Sequence, residues 1–413
     1  MTGKLRRSLG LCLLLALPAL MFRLAGLESA PLLDLVVFGT GVVAASFLLA
    51  WAAEAAEMDI SGGLAIALLA FIAVLPEYTV DLYFAYTAGG NPTYVAYAAA
   101  NMTGSNRLLL GLGWSLVVLI ALHLAARRCG RPVRALVLDS GYRLELGFLA
   151  ISSVLAFLIP ATGQLHLLLG VALLGFFVFY LWKISHVRTG EPTLIGPAAA
   201  IGSLPARRRR PLVIGLFVFA AVVILAAAEP FAQALIGTGT EFGMDRFLLV
   251  QWLAPLASEA PEFIVAVLFA VRGKAANAIG MLISSKVNQW TLLVGSLPLT
   301  YLIGGGAVSL RLDGRQVEEF LLTATQTLLG VAALLALRFP RWAAWTLLTL
   351  FALQFAFPGQ QARYVLAAVY AVLAVFALLR NRRHILPTLA ASLRSRAART
   401  ESAPEHAELA AVR

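Results

Sequence analysis

Two Pro-Glu pairs stand inside long apolar stretches of the sequence, one in each half. The stretches 76–85 and 261–270 share, in register, proline, glutamate, an aromatic residue, valine, phenylalanine and alanine. A carboxylate at the centre of a bilayer costs about 2.5–3.5 kcal/mol on insertion scales, so such residues mark ion pathways. Each proline removes a backbone donor and frees a carbonyl oxygen one turn earlier. Because carboxylate and neutral oxygens together suit Ca²⁺ or Na⁺, Glu77 and Glu262 are predicted to bind a metal cation.

A second polar cluster follows each Pro-Glu pair, at 100–106 and at 280–286. Its hydroxyl and amide oxygens are expected to complete the cation site. The candidates are Asn101, Thr103, Ser105 and Asn106 in the first half and Ser284 and Ser285 in the second. In the competing structural interpretation, the prolines are ordinary kinks and the glutamates pair with Lys or Arg. Recurrence of the pattern in both halves favours the binding site.

Further charged residues accompany these clusters. Asp81 lies one turn beyond Glu77, and Glu259 lies three residues before Glu262, so each pair shares a helix face. Both additional carboxylates are predicted to bind a cation or a proton. Arg107 is expected to pair with Asp81.

Lys286 ends the second polar cluster and has two open interpretations. It could form a structural salt bridge with Glu259 or Glu262. Alternatively, its ammonium group occupies one cation site permanently, which favours coupling to protons over coupling to several Na⁺ ions.

The elements that carry these residues are predicted to be membrane-spanning helices. Hydrophobic residues make up 60% of the 413 residues and charged ones 13%, whereas a soluble chain is nearer half apolar and a quarter charged. The apolar runs are continuous, which favours helices over a barrel. Twelve spans are predicted, at about 9–27, 33–53, 62–87, 92–124, 143–160, 163–184, 211–237, 245–271, 275–304, 317–338, 342–357 and 362–380.

The net charge of +11 comes largely from short basic clusters between apolar runs. That placement is typical of cytoplasmic loops rather than of a nucleic-acid surface. It predicts a multi-pass protein of the cell (inner) membrane with both termini cytoplasmic. The first segment also resembles a signal peptide, but an uncleaved helix is favoured. The two cysteines and five histidines form no disulfide or metal-ligand pattern, so no cofactor is expected.

The two Pro-Glu segments lie five crossings apart, so they enter the membrane from opposite sides. Such inverted repeats are typical of secondary transporters with a site at the bilayer midplane. The predicted parts are an extra N-terminal helix (1–30), a first membrane repeat (31–185), a basic cytoplasmic linker (186–211), a second membrane repeat (212–357), an extra C-terminal helix (358–383) and a cytoplasmic, partly disordered tail (384–413).

At these motifs the chain resembles the sodium/calcium exchanger superfamily, the cation/Ca²⁺ antiporters. The resemblance covers roughly residues 70–116 and 255–300 and implies a ten-helix core made of spans two to eleven. It also implies that Glu77 and Glu262 are central ion ligands, supported by oxygens of Ser105 and Ser285. The sequence departs from the family pattern at several positions, so ligands for several Na⁺ ions are missing. These positions are Val74, Leu109, Glu259, Met281, Lys286 and Gln289.

The residues and the resemblance together predict a secondary active antiporter. It would exchange Ca²⁺ or Na⁺ for H⁺ or Na⁺ by alternating access, because protons and metal cations compete for the same oxygens. The expected partners are the lipid bilayer and inorganic cations, and the oligomeric state is left open. A cation channel or sensor on the same scaffold is the alternative. An intramembrane enzyme is disfavoured because no protease motif is present.

Overall fold

The chain folds almost entirely into α-helices in the computed structural model, which describes residues 3–27, 29–56, 58–59, 75–185 and 194–393. This confirms the predicted all-α, polytopic class. The helices are α1 (Gly3–Ala25), α2 (Pro31–Ala56), α3 (Leu75–Gly90), α4 (Tyr94–Leu108), α5 (Ser115–Cys129), α6 (Arg143–Leu155), α7 (Leu158–Thr162), α8 (Leu167–Ile184), α9 (Gly196–Gly202), α10 (Ala206–Glu241), α11 (Arg246–Val271), α12 (Ala275–Asn288), α13 (Val294–Ile303), α14 (Gly314–Leu334), α15 (Arg341–Ala356), α16 (Gln360–Arg380) and α17 (Ile385–Leu393).

Nine helical segments of the described residues are long and apolar enough to cross a membrane. The other three predicted spans coincide with α3, with α12 and α13, and with α15. The start of predicted span three, at 62–74, lies outside the described residues. Long apolar runs form helices here because a helix satisfies its backbone hydrogen bonds within one segment.

The first of two units comprises Met1–Ser105, Leu181–Glu262 and Ser296–Val308. Its core is the contact between α2 and α10, which pack along their length, with α1 beside them. The facing residues are mostly small or aliphatic. They include Ala44, Ala45, Ala52, Ala55, Ala220, Val223 and Ile224.

The second unit comprises Asn106–Tyr180, Phe263–Gly295 and Ser309–Arg413. Helix α14 lies at its centre, against α16 and α6, and almost its whole surface is buried. Two short antiparallel ladders also occur here. Strand β1 (Ala135–Val137) pairs with β4 (Arg338–Pro340), and β2 (Gln164–His166) pairs with β3 (Ser309–Arg311).

The structure differs from the sequence prediction at the ends of several elements. Predicted span six began at 163, but residues 164–166 form β2 and the helix begins at Leu167. The described part of the predicted linker contains α9 and the start of α10, while 186–193 lies outside the described residues. The tail from 384 onward was predicted to be partly disordered. Its first residues instead form α17, which packs on α6 and buries Thr388 and Ser392, whereas 394–413 lies outside the described residues.

Candidate functional site

The two motifs of the first repeat are joined by a hydrogen bond. The Ser105 hydroxyl on α4 donates to Oε1 of Glu77 on α3 over 2.5 Å. Both side chains are buried, with exposures of 0% for Ser105 and 6% for Glu77. Two residues that stand 28 positions apart thus meet inside the first unit, and both bring oxygens that suit a hard cation.

Asp81 adds a second carboxylate one turn further along α3. It is completely buried, and its carboxylate lies beside that of Glu77 and the amide of Asn101. A completely buried carboxylate next to a second carboxylate is costly unless a cation or a proton joins it. The predicted ion pair between Asp81 and Arg107 is wrong, because the carboxylate partner of Arg107 is Glu319.

Thr103 connects the polar cluster on α4 to α11. Its hydroxyl donates to the Ala99 carbonyl over 2.7 Å and accepts from Nε2 of Gln251 over 3.4 Å. A Cβ atom at Gly104 would overlap the Gln251 carbonyl, so the two helix backbones approach as closely as glycine allows. Gln251 is buried and was not among the predicted site residues. Its only signal in the sequence is an amide within an apolar run.

The second Pro-Glu pair lies on α11, which runs as one helix from Arg246 to Val271 despite Pro261. The loss of a backbone donor that was expected at this proline therefore does not interrupt the helix. Glu259 is buried and Glu262 is half-buried. Glu262 belongs to the same unit as Glu77, and the meeting of these two carboxylates around one ion stays a prediction.

The second polar cluster lies on α12. The Ser284 hydroxyl shares a 2.7 Å hydrogen bond with the Tyr180 hydroxyl, and Ser285 is buried. The Lys286 ammonium is completely buried and donates to the backbone carbonyl of Asn106. It also lies 6.0 Å from the centre of the Trp290 ring.

A π-helical turn follows each polar cluster at the same distance. One spans Leu109–Trp114 and the other Gln289–Leu293, each beginning three residues after the end of its cluster. Such turns insert one residue into an α-helix and are frequent at functional sites. The carbonyl groups just before the first turn accept from side chains. Lys286 donates to Asn106, and Gln326 donates to Arg107 over 3.5 Å.

A buried ion-pair network borders this turn in the second unit. Arg107 lies 2.5 Å from Glu319 on α14, and both side chains are 3% exposed. Arg363 on α16 lies 2.9 Å from Glu318 and 3.8 Å from Glu319. Gln354 on α15 accepts from Arg107 over 2.9 Å. This network was not predicted from the sequence.

Across the part of the chain that the structure describes, no group of three or more His, Cys, Asp or Glu side chains is arranged to hold a metal ion. A cation site built on Glu77 would therefore rely on the neutral oxygens around it. Hydroxyl, amide and carbonyl oxygens are all suitable ligands for Ca²⁺.

Comparisons with known proteins agree with this description. A family model described as sodium/calcium exchanger protein matches residues 30–185 and 212–359. The H⁺/Ca²⁺ exchanger CAX, known from a crystal structure, shares 41% sequence identity with this chain, and the two structures superpose with a TM-score of 0.87. The match covers 94% of this chain and 98% of the CAX chain. The Ca²⁺/H⁺ antiporter protein YfkE shares the fold at 15% identity, with a TM-score of 0.60, over 89% of this chain and 100% of that chain. Curated protein sequences give no significant match.

Proposed function

Because this chain belongs to the sodium/calcium exchanger protein family, we propose that it is a secondary active antiporter that exchanges Ca²⁺ for H⁺ across a membrane. The members of this family are membrane cation exchangers, and the sequence motifs predicted that the chain belongs to it. The choice of Ca²⁺ and H⁺ is supported by the 41% identity to an H⁺/Ca²⁺ exchanger over 94% of the chain.

The observation that carries the assignment of the site is the hydrogen bond from Ser105 to Glu77. A serine hydroxyl can donate to a carboxylate, and it can also turn a lone pair toward a cation. In the proposal, the hydroxyl keeps its proton but rotates it away from Glu77, and Ca²⁺ binds between the two oxygens. The proposed ligands of the first repeat are Glu77, Asp81, Asn101, Thr103, Ser105 and Asn106, and those of the second are Glu259, Glu262, Ser284 and Ser285.

Coupling follows from competition for the carboxylates. A carboxylate that holds Ca²⁺ cannot hold a proton at the same time, so one ion must leave before the other binds. If the protein can switch between its outward-open and inward-open states only when the charge of the site is neutralised, exchange becomes obligatory. Alternating access brings the same oxygens to each side in turn.

The proposed location is the cell (inner) membrane with both termini in the cytoplasm. Nine apolar helical segments among the described residues support a multi-pass membrane protein. The orientation rests on the basic clusters at 127–134, 207–210 and 380–383, which favour the cytoplasmic side.

Transport by the full chain in proteoliposomes tests the proposal. Ca²⁺ uptake should follow an imposed proton gradient, with Ca²⁺, Na⁺ and pH probes read in parallel. Glu77→Gln should abolish exchange. Ser105→Ala should weaken the apparent Ca²⁺ affinity about 10- to 100-fold, because it removes one oxygen ligand, and a polar interaction with a charged group contributes about 1.5–3 kcal/mol.

Glu229→Gln is the matched control. Glu229 lies on α10 in the same unit, pairs with Arg23 over 2.7 Å and has a side chain that is 43% exposed, so its loss should leave exchange unchanged. Ca²⁺ flux without any proton counter-flux would contradict the proposal and indicate a channel. Exchange that runs only with Na⁺ would contradict the choice of H⁺.

A further inference from the structure

Two residues at equivalent positions of the repeats contact each other. Asn106 ends the first polar cluster, Lys286 ends the second, and each stands three residues before a π-helical turn. The Lys286 ammonium donates to the Asn106 carbonyl. Residues related by an inverted repeat can touch only close to the pseudo-two-fold axis that relates the repeats. In secondary transporters, substrate ions bind near this axis, at the bilayer midplane.

The surroundings of the ammonium resemble those of a bound monovalent cation. Lys286 is completely buried, a backbone carbonyl oxygen accepts from its Nζ atom, and the Trp290 ring centre lies 6.0 Å away. Carbonyl oxygens and aromatic faces are both favourable neighbours of a positive charge. The equivalent position of the first repeat carries the neutral Asn106, so the pair places one fixed charge near the axis.

We infer that the Lys286 ammonium permanently fills one cation position at the axis that relates the repeats, so that each cycle carries one Ca²⁺ without Na⁺. The inference rests on the proposed exchange function. A fixed positive charge near this axis takes the place of one mobile cation in every state of the cycle. One proton fewer is then needed to neutralise the site after Ca²⁺ has left. Lys286 is thus a residue that sets the ion stoichiometry.

The test compares neutral and charged variants of the full chain in proteoliposomes. Lys286→Gln and Lys286→Met remove the charge, and Lys286→Arg is the control that keeps it. The membrane potential at which net Ca²⁺ flux reverses, at fixed Ca²⁺ and pH gradients, gives the number of protons moved per Ca²⁺. The wild type and the Arg variant should share one ratio. The neutral variants should move one more proton per Ca²⁺ or require Na⁺ for transport.

A second measurement does not depend on transport. If Na⁺ occupies the vacated position, the thermal midpoint of the purified Gln variant should rise when choline is replaced by Na⁺, while that of the wild type should not. An unchanged proton ratio together with no Na⁺ dependence would overturn the inference. So would the failure of both neutral variants to fold in any salt, because Lys286 would then serve stability alone. A wild type without Ca²⁺/H⁺ exchange would instead overturn the proposed function.

Discussion

Replacing Glu319 by glutamine should destabilise the protein far more than replacing its partner Arg107 by methionine. The two groups lie 2.5 Å apart and are 3% exposed. Removing one partner of such a buried pair costs about 3–5 kcal/mol, because the other charge is left uncompensated. A guanidinium cannot lose its proton at any accessible pH, so Arg107 would stay charged after Glu319→Gln.

Replacing Arg107 by methionine is milder for two reasons. After Arg107→Met, Glu319 keeps Arg363 at 3.8 Å. A buried carboxylate can also neutralise itself by taking up a proton. We expect Arg107→Met to lower the free energy of unfolding by about 1–2 kcal/mol. The double variant should lose much less stability than Glu319→Gln alone.

Thermal midpoints in detergent measure these differences. With the size scaling of unfolding entropy, about 1–2 °C is lost per kcal/mol in a chain of this length, so Glu319→Gln should lower the midpoint by about 5 °C. The double variant with Arg107→Met should recover most of that loss. If the losses of the single variants simply add in the double variant, the two charges are not coupled and the reasoning is refuted.

Three further predictions concern other parts of the chain. Gly104→Ala should lower the free energy of unfolding by at least about 3 kcal/mol, because a Cβ atom there overlaps a backbone carbonyl on α11. Gly175→Ala is the control, since a Cβ atom at Gly175 meets nothing within 4 Å. Equal thermal midpoints of the two variants would contradict the close approach of the helices. A hydrogen bond from Arg209 lowers the pKa of Asp59 from 3.8 to about 2, so Asp59→Asn should cost about 1 kcal/mol above pH 4, and this difference should shrink from pH 4 downward and vanish below pH 2. A membrane-impermeant maleimide should label Cys129 in inside-out but not in right-side-out vesicles, and the opposite pattern would reverse the proposed orientation.

The positions of the helices could be predicted because hydrophobic length alone places a span in a bilayer. The resemblance between 76–85 and 261–270 further revealed the repeats. The four strands could not be predicted in this way. Each has only three residues, which is too short to show an alternating pattern.

Partners across the fold were the harder part. Glu77 and Ser105 were named together because both belong to motifs of one repeat, and the structure brings them into contact. Arg107 was assigned to Asp81, which is near in sequence, although its partner Glu319 stands more than 200 positions later. Gln251 was missed because a single amide in an apolar run gives no spacing from which to infer a partner.

The alanine-rich contact between α2 and α10 has a mechanical consequence. Side chains as short as alanine form shallow ridges, so two such helices interlock weakly along their common axis. Displacing one along the other moves many alanine methyl groups past each other, although Leu48, Leu49 and Ile224 also belong to this contact. Small sliding movements of packed helices are an established form of domain motion. The first unit therefore contains a contact rich in small side chains, which is the kind of surface on which a shear movement needs few side-chain rearrangements.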